Sequence, residues 1–417
     1  MTSAGAIAGQ DVGAAPQRVL LLVPARTYRA ADFLLAAARM GLDLVVASDG
    51  VLPLGGRPVI RVNACDLHGS AERIVARSGP VAAVVAADTP MLVLASTVAA
   101  RMGLPHNPVD AVLAAMDKAA QRLRWTAAGV TQPAFRLVPA SAAQDLVRQA
   151  AEAVGFPCVV KAVSLSASRG VLRADDPAAA VTATQRIRQV LAEAGRPAEP
   201  ILVEEYLPGA ELSIDGILAE GDLAVTVIFD KPRAPHGPTF EETLLVTPSR
   251  LPEPVLADAV RTAAEAARAL GLRVGPVHAE LRTGDRGPAM LELAARPVGG
   301  LCSRALRFPG GVSLEEIVLA NALGLGIPAA SRPVRPCGVF MLPVPRPGVL
   351  RAVEGRARAA SVTGITGLTI TIPVGQQVRP LPDGDQYLGF IFAEGETWND
   401  VRDALTAASE LLHVVIQ

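Results

Sequence analysis

The sequence has few lysines and no excess of either charge. Of its 417 residues, 39 are Lys or Arg and 40 are Asp or Glu, which leaves a formal net charge of -1. Without a basic block, the chain has no general electrostatic attraction for nucleic acid or for an anionic membrane, and we expect neither as a partner. Any anion must therefore be bound by residues that the fold brings together locally.

Cysteines and long apolar runs are also scarce. The cysteines lie far apart, with no Cys-x-x-Cys pair and no histidine at zinc-site spacing, so we expect reduced thiols in a cytoplasmic enzyme. The most apolar stretch, residues 81–100, is interrupted by Asp88, Thr89 and Pro90 and lacks the ~18 clean residues that a spanning helix needs. Residues 1–16 carry no signal-like apolar run, and we expect a flexible tail there. The four cysteines are Cys65, Cys158, Cys302 and Cys337.

Several nucleotide-binding and catalytic motifs are missing. No Gly-x-Gly-x-x-Gly follows the first predicted strand, which argues against a dinucleotide site. None of the three lysines, Lys118, Lys161 and Lys231, lies in a Walker A sequence. The His-Arg-Asp of kinases, the Gly-x-Ser-x-Gly elbow and the His-Glu-x-x-His zinc motif are also missing. Because arginine fills almost every other basic position, each retained lysine suggests a need for a compact ammonium group.

The order of the predicted elements divides the chain into a tail and three domains. Apolar strands alternate with amphipathic helices in the first domain, which predicts a parallel sheet covered by helices. The second contains a compact α+β lobe, and the third has the pattern of a small α+β domain, so the fold class is α/β and α+β. The predicted boundaries are 1–16 for the tail, 17–112 for the first domain, 113–330 for the second with its small lobe at about 135–210, and 331–417 for the third.

Three segments inside these domains have a marked pattern. Residues 110–128 predict one amphipathic helix. Residues 231–254 form an irregular Pro-rich stretch, and Pro, Arg and Ser crowd residues 328–336. We take residues 328–336 as the best candidate for a linker.

Two glutamates on neighbouring predicted strands are the candidate metal ligands. Glu280 and Glu292 lie on strands joined by a short turn, so both carboxylates could project from one face of the sheet. Two such groups repel each other unless a cation lies between them. Mg²⁺, which prefers oxygen ligands, would satisfy both and still bind phosphate oxygens. Arg296 and the backbone amides of Gly299 and Gly300 would lie beside the metal, whereas the alternative is a solvated hairpin with a surface ion pair.

A set of motifs in a fixed order resembles the ATP-grasp superfamily. Within it, the chain is most similar to the carboxylate–amine ligases called L-amino-acid ligases, because of Phe240-Glu241-Glu242-Thr243 with Pro248 and the run from Ala294 through Arg296-Pro297-Val298-Gly299-Gly300 to Arg304. Single motifs are weak, but their order and spacing across most of the chain are specific. The ordered motifs are Met116-Asp117-Lys118-Ala119-Ala120-Gln121-Arg122, Phe156-Pro157-Cys158-Val159-Val160-Lys161, a serine-rich loop ending Arg169-Gly170-Val171, Val203-Glu204-Glu205-Tyr206-Leu207 with Glu211, and then Glu280, Glu292 and Arg296.

The resemblance implies an ATP-grasp fold with an N-terminal Rossmann-like parallel α/β domain and a small C-terminal α+β domain. It also implies that two lysines neutralise the phosphates of ATP and that the serine-rich loop, residues 164–170, closes over them. From composition alone, this loop is equally a mobile surface turn. The implied ATP-binding residues are Lys118, Lys161, Ser168, Gly170, the adenine hinge Glu204, Glu205, Tyr206 and Leu207, and Glu211 for the ribose hydroxyls.

The resemblance also assigns residues to catalysis and to substrate binding. Lys161 and Arg296 would offset negative charge during phosphoryl transfer, and Glu280 and Glu292 would hold the metal. One departure is Ala294, because the family usually has an asparagine there that assists a second Mg²⁺. The implied substrate-binding residues are Glu242, which could pair with an α-ammonium group, Gly299, Gly300 and Arg304.

Three further polar residues leave alternatives open. His278 lies two residues before Glu280, so strand alternation places both side chains on one face. His278 could orient a substrate or act as the catalytic base that deprotonates the amine, or it could be a structural histidine. Lys231 and His236 lie in the irregular stretch where substrates would enter, and a solvated loop is the simpler interpretation for both.

The expected function is that of an ATP-dependent carboxylate–amine ligase of the EC 6.3 type. A carboxylate, taken to be that of an amino acid, would form an acyl phosphate that an amine converts into an amide, with release of ADP and phosphate. The expected cofactors are ATP and one or two Mg²⁺ ions, which Mn²⁺ could replace, and the apolar first domain could supply a homodimer face. The alternatives are a ligase for a non-amino-acid carboxylate or bicarbonate and a non-catalytic nucleotide-binding protein.

Overall fold

The computed structural model describes residues 17–52, 57–63, 65–232, 238–326 and 333–417. The predicted tail, His236 and part of the predicted linker lie outside these residues. Within them, no helix has both the length and the apolar character needed to cross a membrane.

The N-terminal domain is a parallel four-stranded sheet covered by helices, as the alternating pattern predicts. Its central strand, β1, is buried over five of its six residues because neighbouring strands and covering helices shield both faces. The strand order is β3-β2-β1-β4. The elements are β1 Arg18–Val23, α1 Ala30–Arg39, β2 Asp43–Ser48, β3 Val59–Arg61, α2 Leu67–Ser78, β4 Ala83–Ala86 and α3 Leu92–Arg101.

The predicted single helix over residues 110–128 is two helices, α4 Val109–Ala115 and α5 Lys118–Ala128. The break comes at Asp117, whose side chain accepts the backbone N–H of Ala120 at 2.9 Å and so caps α5. Helical periodicity alone does not reveal this break, because the cap interrupts the backbone without interrupting the apolar stripe. The cap places Lys118 in the first turn of α5.

The small lobe is an antiparallel sheet of order β5-β8-β6-β7, packed against two helices. The serine-rich loop joins β6 to β7, and Ala167 and Ser168 both adopt a φ of 56° within it. Left-handed backbone at two successive non-glycine residues winds the loop tightly. The elements are β5 Phe135–Val138, α6 Gln144–Val154, β6 Cys158–Ala162, β7 Val171–Ala174, α7 Pro177–Glu193 and β8 Ile201–Glu205.

An eight-stranded sheet forms the centre of the molecule and continues across residue 330, the predicted domain boundary. Its order is β13-β12-β9-β10-β11-β14-β18-β16, and the junction is the antiparallel pairing of β11 with β14. The strands are β9 Ala210–Ala219, β10 Asp222–Lys231, β11 Leu244–Thr247, β12 Gly275–Gly284, β13 Gly287–Ala294, β14 Cys337–Leu342, β16 Ile365–Ile370 and β18 Gly389–Glu394.

The remaining elements cover this sheet or lie at its C-terminal end. The long alanine-rich helix α8 packs on β13 and buries one apolar face there. Two short strands flank β15 in a separate three-stranded sheet. These elements are α8 Glu253–Leu270, α9 Leu314–Ala322, β15 Gly348–Glu354, α10 Arg356–Ala360, β17 Gln377–Val378, α11 Trp398–Glu410 and β19 His413–Ile416.

The apolar cores differ between the small lobe and the rest. One buried cluster joins the N-terminal domain to the central sheet, and it contains Phe33 of α1, Ile317 of α9 and Phe390 of β18. A second cluster, which includes Val160 and Ile187, lies wholly inside the small lobe. The small lobe therefore has a core of its own, whereas the N-terminal domain and the C-terminal strands share one.

Candidate active site

A cleft between the small lobe and the eight-stranded sheet contains most of the predicted site residues. It encloses about 1560 Å³, counting the open solvent at its mouth. Of the predicted residues, Gly170 and Arg304 do not line it. Those that do are Lys118, Lys161, Ser168, Glu204, Glu205, Tyr206, Leu207, Glu211, Glu242, His278, Glu280, Glu292, Arg296, Gly299 and Gly300.

A buried trio of charges holds Lys161 in place. The Glu204 carboxylate accepts from Arg122 Nε and from Lys161 Nζ, each at 2.5 Å, and is only 1% exposed. Burial pushes the pKa of Glu204 up, but the two cations outweigh it and the pKa is lowered. Arg122 also donates to the Leu291 carbonyl at 2.6 Å, which ties the small lobe to β13. Glu204 is therefore a buried anion near the end of β8, held by two cations.

Lys118 connects the serine-rich loop to the metal-site hairpin. Its Nζ donates to the Leu165 carbonyl at 2.7 Å and lies 3.1 Å from the Glu292 carboxylate. Its side chain is 5% exposed. The N-terminus of a helix carries partial positive charge, so the first turn of α5 disfavours a cation unless negative charge is nearby. Glu292 supplies such charge, and the phosphates of a nucleotide would add to it.

The two predicted metal ligands are side by side. Glu280 and Glu292 are register partners on β12 and β13, with an irregularity in the pairing directly after Glu280. Both line the cleft, and their oxygens are the donors that Mg²⁺ prefers. Burial raises the pKa of Glu280, but Lys231 and His278 outweigh burial and hold the pKa well below its usual range. Glu280 is therefore an anion able to bind a cation.

Lys231 is a buried site residue and not part of a solvated loop, the simpler interpretation of the sequence. It ends β10, its side chain is 6% exposed, and it contacts three carboxylates: Glu211 at 3.3 Å, Glu280 at 3.4 Å and Glu242. Burial lowers its pKa, but the three carboxylates outweigh burial and raise the pKa well above its usual value. The rarity of lysine is the signal that could have identified it.

The carboxylates around Lys231 form a second possible cation site. Oxygens of Glu211, Glu242 and Glu280 lie within 4.8 Å of one another. Burial, and then the Glu280 charge, raise the pKa of Glu242 to about 7. Because Lys231 already supplies a positive charge here, a metal is better accommodated between Glu280 and Glu292.

His278 is a cation rather than a free base. Its Nδ1 is 3.0 Å from Asp215 and its Nε2 is 3.2 Å from Glu280, so both ring nitrogens face carboxylates. Burial lowers its pKa, but the two carboxylates more than reverse this and raise the pKa to about 9. A doubly protonated ring has no lone pair for the proton of an amine. Of the alternatives for His278, the raised pKa argues against the catalytic base, and the contact with Glu280 favours an orienting role.

The predicted adenine hinge is built around Tyr206. The guanidinium groups of Arg173 and Arg282 lie 4.8 and 5.0 Å from the centre of its ring. Arg282 also donates to the Leu207 carbonyl at 2.8 Å. Glu205 is paired with Arg286. The hinge therefore has a flat, cation-flanked surface suited to an aromatic base.

Glu211, the predicted ribose ligand, is already held by protein cations. Its Oε2 accepts from Arg282 Nε at 2.9 Å and from Arg282 Nη2 at 2.8 Å. Its Oε1 lies 3.3 Å from Lys231 Nζ. Glu211 lines the cleft, but a ribose would share it with these two cations.

The arginines after β13 have separate roles. Arg296 lines the cleft and donates to Thr89 Oγ1 at 3.0 Å, which brings the N-terminal domain to the site. Arg304 instead pairs with both oxygens of Asp32 on α1, at 3.0 and 3.1 Å, and does not line the cleft. Its predicted role in substrate binding is therefore wrong, because its charge serves the contact between domains.

The two glycines and Ala294 complete this region. Gly300 has a φ of 60°, and a Cβ there would lie 2.5 Å from the Phe390 ring, so both backbone and packing require glycine. A Cβ on Gly299 would meet Arg296 at an ordinary 3.7 Å. Ala294 is the register partner of His278 and offers no ligand oxygen on its side chain for a second metal.

Two family models match separate segments of the chain. The family model of the ATP-grasp domain matches residues 154–305, and that of the L-amino acid ligase C-terminal domain 2 matches residues 340–417. The chain is 32% identical to carnosine synthase 1 of Gallus gallus over 228 residues; this alignment covers 51% of this chain and 24% of that protein. It is 29% identical to alanine–anticapsin ligase of Bacillus subtilis over 237 residues, and that alignment covers 52% of this chain and 49% of that protein.

A solved structure resembles the whole chain. The crystal structure of an L-amino acid ligase from Bacillus licheniformis covers 97% of this chain with a TM-score of 0.79 and 22% identity, and 100% of that chain is covered. This likeness confirms the predicted fold. The chain spans about half or less of the length of the two curated relatives.

Proposed function

We propose that this chain, whose residues 154–305 match the ATP-grasp domain, is an ATP-dependent ligase that joins an amino-acid carboxylate to an amine. The reaction proceeds through an acyl phosphate and releases ADP and phosphate. One observation carries the proposal: two of the three lysines, Lys118 and Lys161, line the same cleft as Glu280, Glu292 and Arg296. In a chain with so few lysines, this convergence provides cations for phosphates beside carboxylates for a metal.

The small lobe and α5 supply the groups that bind the nucleotide. Lys161 and Lys118 offset the charge of the phosphates, and the surface of Tyr206 packs against the base. The buried Glu204 and Arg122 keep Lys161 from moving away when the phosphates arrive. The serine-rich loop lines the cleft through Ser166, Ala167 and Ser168, and it would close over the phosphates and exclude water.

The hairpin of β12 and β13 supplies the metal site. Mg²⁺ bound there would supply positive charge that offsets the negative charge developing during transfer. Glu280 and Glu292 would hold it, with His278 fixing the orientation of Glu280 through the bond to Nε2. No nucleophilic side chain is required, because positioning and charge neutralisation suffice for phosphoryl transfer.

Arg296 and Glu242, which line the same cleft as Glu280, supply the groups for the acid and the amine. Arg296 would offset negative charge on the carboxylate that attacks the γ-phosphate. Glu242 lines the same cleft and would pair with the ammonium group of an amino acid. Since His278 is already protonated, the deprotonation of the incoming amine falls to Glu242 or to solvent.

The test is an assay of acyl-phosphate formation. The purified chain is incubated with ATP, Mg²⁺, hydroxylamine and each amino acid in turn, and ADP and the amino-acid hydroxamate are measured. Hydroxylamine attacks the acyl carbon and displaces phosphate, so the assay does not depend on knowing the natural amine. We expect ADP release that requires both Mg²⁺ and an amino acid. Tight ATP binding without any hydroxamate would support a non-catalytic nucleotide-binding protein, and turnover with bicarbonate alone would support the other alternative.

A further inference from the structure

All three tyrosines of the chain line the candidate cleft, although aromatic residues make up only 3% of the sequence. They fall into two groups. Tyr206 lies between two arginines at the hinge, whereas Tyr28 and Tyr387 both pack against Phe390. The second group has no part in nucleotide binding or in phosphoryl transfer as described above, so it requires a separate explanation.

The second group and its apolar neighbours line one part of the cleft, which we call the aromatic wall. The ring of Tyr28 meets Phe390 edge to face, with centroids 5.8 Å apart, and Tyr387 lies 6.4 Å from Phe390. Beside them, Cys302 Sγ and Met341 Sδ are 3.8 Å apart. The wall combines the N-terminal domain, the segment after β13 and the C-terminal strands. It consists of Tyr28, Val298, Cys302, Met341, Tyr387 and Phe390.

Glu242 lines the same cleft as this wall, and its carboxylate is bound by Lys231. An amino acid that presents its ammonium group to Glu242 and its carboxylate toward Arg296 would therefore direct its side chain at the wall. Transfer of an apolar side chain from water to such a surface is favourable in proportion to its area. The wall therefore favours amino acids with large apolar side chains over those with small ones.

Two carboxylates, those of Asp88 and Asp385, line the cleft near Tyr28. Burial raises the pKa of the Tyr28 hydroxyl, a hydrogen bond from Thr371 opposes this, and the nearby Asp385 and Asp88 raise the pKa further. Asp88 is held in place, because it accepts from the Thr27 hydroxyl at 3.2 Å and from the Thr89 N–H at 2.8 Å. A substrate side chain that carries a carboxylate would meet like charge here, so the wall discriminates against acidic amino acids.

We propose that the aromatic wall binds the apolar side chain of the amino acid that is activated as the acyl phosphate, and that Tyr28 is the residue that sets this specificity. The inference rests on the proposed ligase function. Tyr28 is the half-buried member of the wall that comes from the N-terminal domain, so its removal widens the pocket.

The first experiment compares four amino acids in the hydroxylamine assay. L-leucine, L-phenylalanine, L-alanine and L-aspartate are each supplied to the full chain with ATP and Mg²⁺, and hydroxamate is measured. We expect kcat/KM for leucine and phenylalanine to exceed that for aspartate at least tenfold, with alanine between them. Hydroxamate from aspartate at an equal or higher rate would overturn the wall as the specificity site and leave the ligase function standing. If no amino acid yields hydroxamate, the proposed function fails and this inference fails with it.

The second experiment uses the tyrosines as reciprocal controls. Tyr28→Ala should raise KM for leucine about tenfold and leave KM for ATP within twofold, whereas Tyr206→Ala should raise KM for ATP and leave KM for leucine within twofold. Tyr28→Phe keeps the ring and should restore the KM for leucine that is lost in Tyr28→Ala, and a thermal melt of each variant shows that it is folded. An unchanged KM for leucine in a folded Tyr28→Ala protein contradicts the proposal.

Discussion

The small lobe and the rest of the molecule are held together in different ways. The N-terminal domain and the C-terminal strands share one apolar core, which cannot be divided without exposing residues such as Phe33 and Phe390 to water. The small lobe has its own core and contacts the C-terminal region through polar groups. We call these polar contacts the latch: the Gly170 N–H to the Pro382 carbonyl, Arg186 to Asp383, Arg379 to Glu193 and Arg169 to Asp385.

This difference indicates which part moves. An exposed ion pair contributes about 0–1 kcal/mol, so the latch can open at little cost. A buried apolar core opens only with much of the fold. We therefore expect the small lobe to swing on its connections while the metal hairpin, the aromatic wall and Arg296 remain fixed to one another. Such a lid would admit ATP and then enclose the acyl phosphate.

The buried ion pair of Arg122 with Glu204 is an exception to this contrast, because it joins the small lobe to α5 tightly. Breaking it should cause the largest loss in the free energy of unfolding. Arg122→Met leaves Glu204 buried and deprives it of its strongest partner, and such a loss destabilises a protein by about 3–5 kcal/mol. Arg186→Met removes a latch arginine instead and is the matched control, with an expected change below about 1 kcal/mol. Chemical denaturation measures both. Equal losses in the two variants would mean that the latch is as rigid as the buried trio.

The pH dependence of stability tests the fixed part of the molecule. The pKa of His278 is raised to about 9 from its ordinary 6.5, so its contribution to stability is complete below pH 6.5 and is lost as the pH rises through 9. The shift corresponds to roughly 3 kcal/mol. Thermal melts in EDTA between pH 6 and 10 should show this loss in the unaltered chain and not in His278→Asn. His106→Asn, on an exposed loop, should retain the loss.

Removal of a metal ligand should affect chemistry and leave the fold unchanged. Glu292→Gln keeps the shape of the side chain, which is about a third exposed, but removes the charge that a cation requires. We expect a loss in kcat on the order of 100-fold, since metal ions contribute several kcal/mol to charge stabilisation. The melting temperature should change by less than that of Arg122→Met. Glu265→Gln on the outer face of α8 is the control, and full activity in Glu292→Gln would exclude this glutamate from the metal site.

The smallest expected effect concerns the latch itself. In the double variant Arg186→Met and Arg379→Met, two exposed ion pairs are lost. Proteolysis within the serine-rich loop should become a few-fold faster without ligand, and ATP with Mg²⁺ should still slow it. Cleavage that is unaffected by nucleotide in either protein would show that the loop is an ordinary surface turn and not a lid.

The sequence predicts the fold class and most lining residues because they depend on local pattern and motif order. Strand β1 is a plain apolar run, and the first domain follows from alternation of such runs with helices. Lys118 and Lys161 can be recognised because lysine is otherwise almost absent. The pair Glu280 and Glu292 follows from a short turn between two strands, which sets their register.

What the sequence does not predict depends on contacts between distant segments. Lys231 looks like part of a solvated loop, and its burial becomes visible only when β9 and β12 bring Glu211 and Glu280 to it. The charge of His278 depends on Asp215, which is 63 residues away in the sequence. Arg304 follows the substrate motif in sequence, yet α1 presents Asp32 to it. No local pattern contains these partners.

The continuity of the central sheet limits how this chain can be divided. Four register pairs join β11 to β14, from Leu244 with Phe340 to Thr247 with Cys337. A fragment ending near residue 326 would expose the hydrogen-bonding edge of β11, and exposed edges recruit strands from other molecules. The two family segments are therefore a single folding unit. We expect truncated chains to aggregate, and domain exchange with relatives to succeed only when both segments are exchanged together.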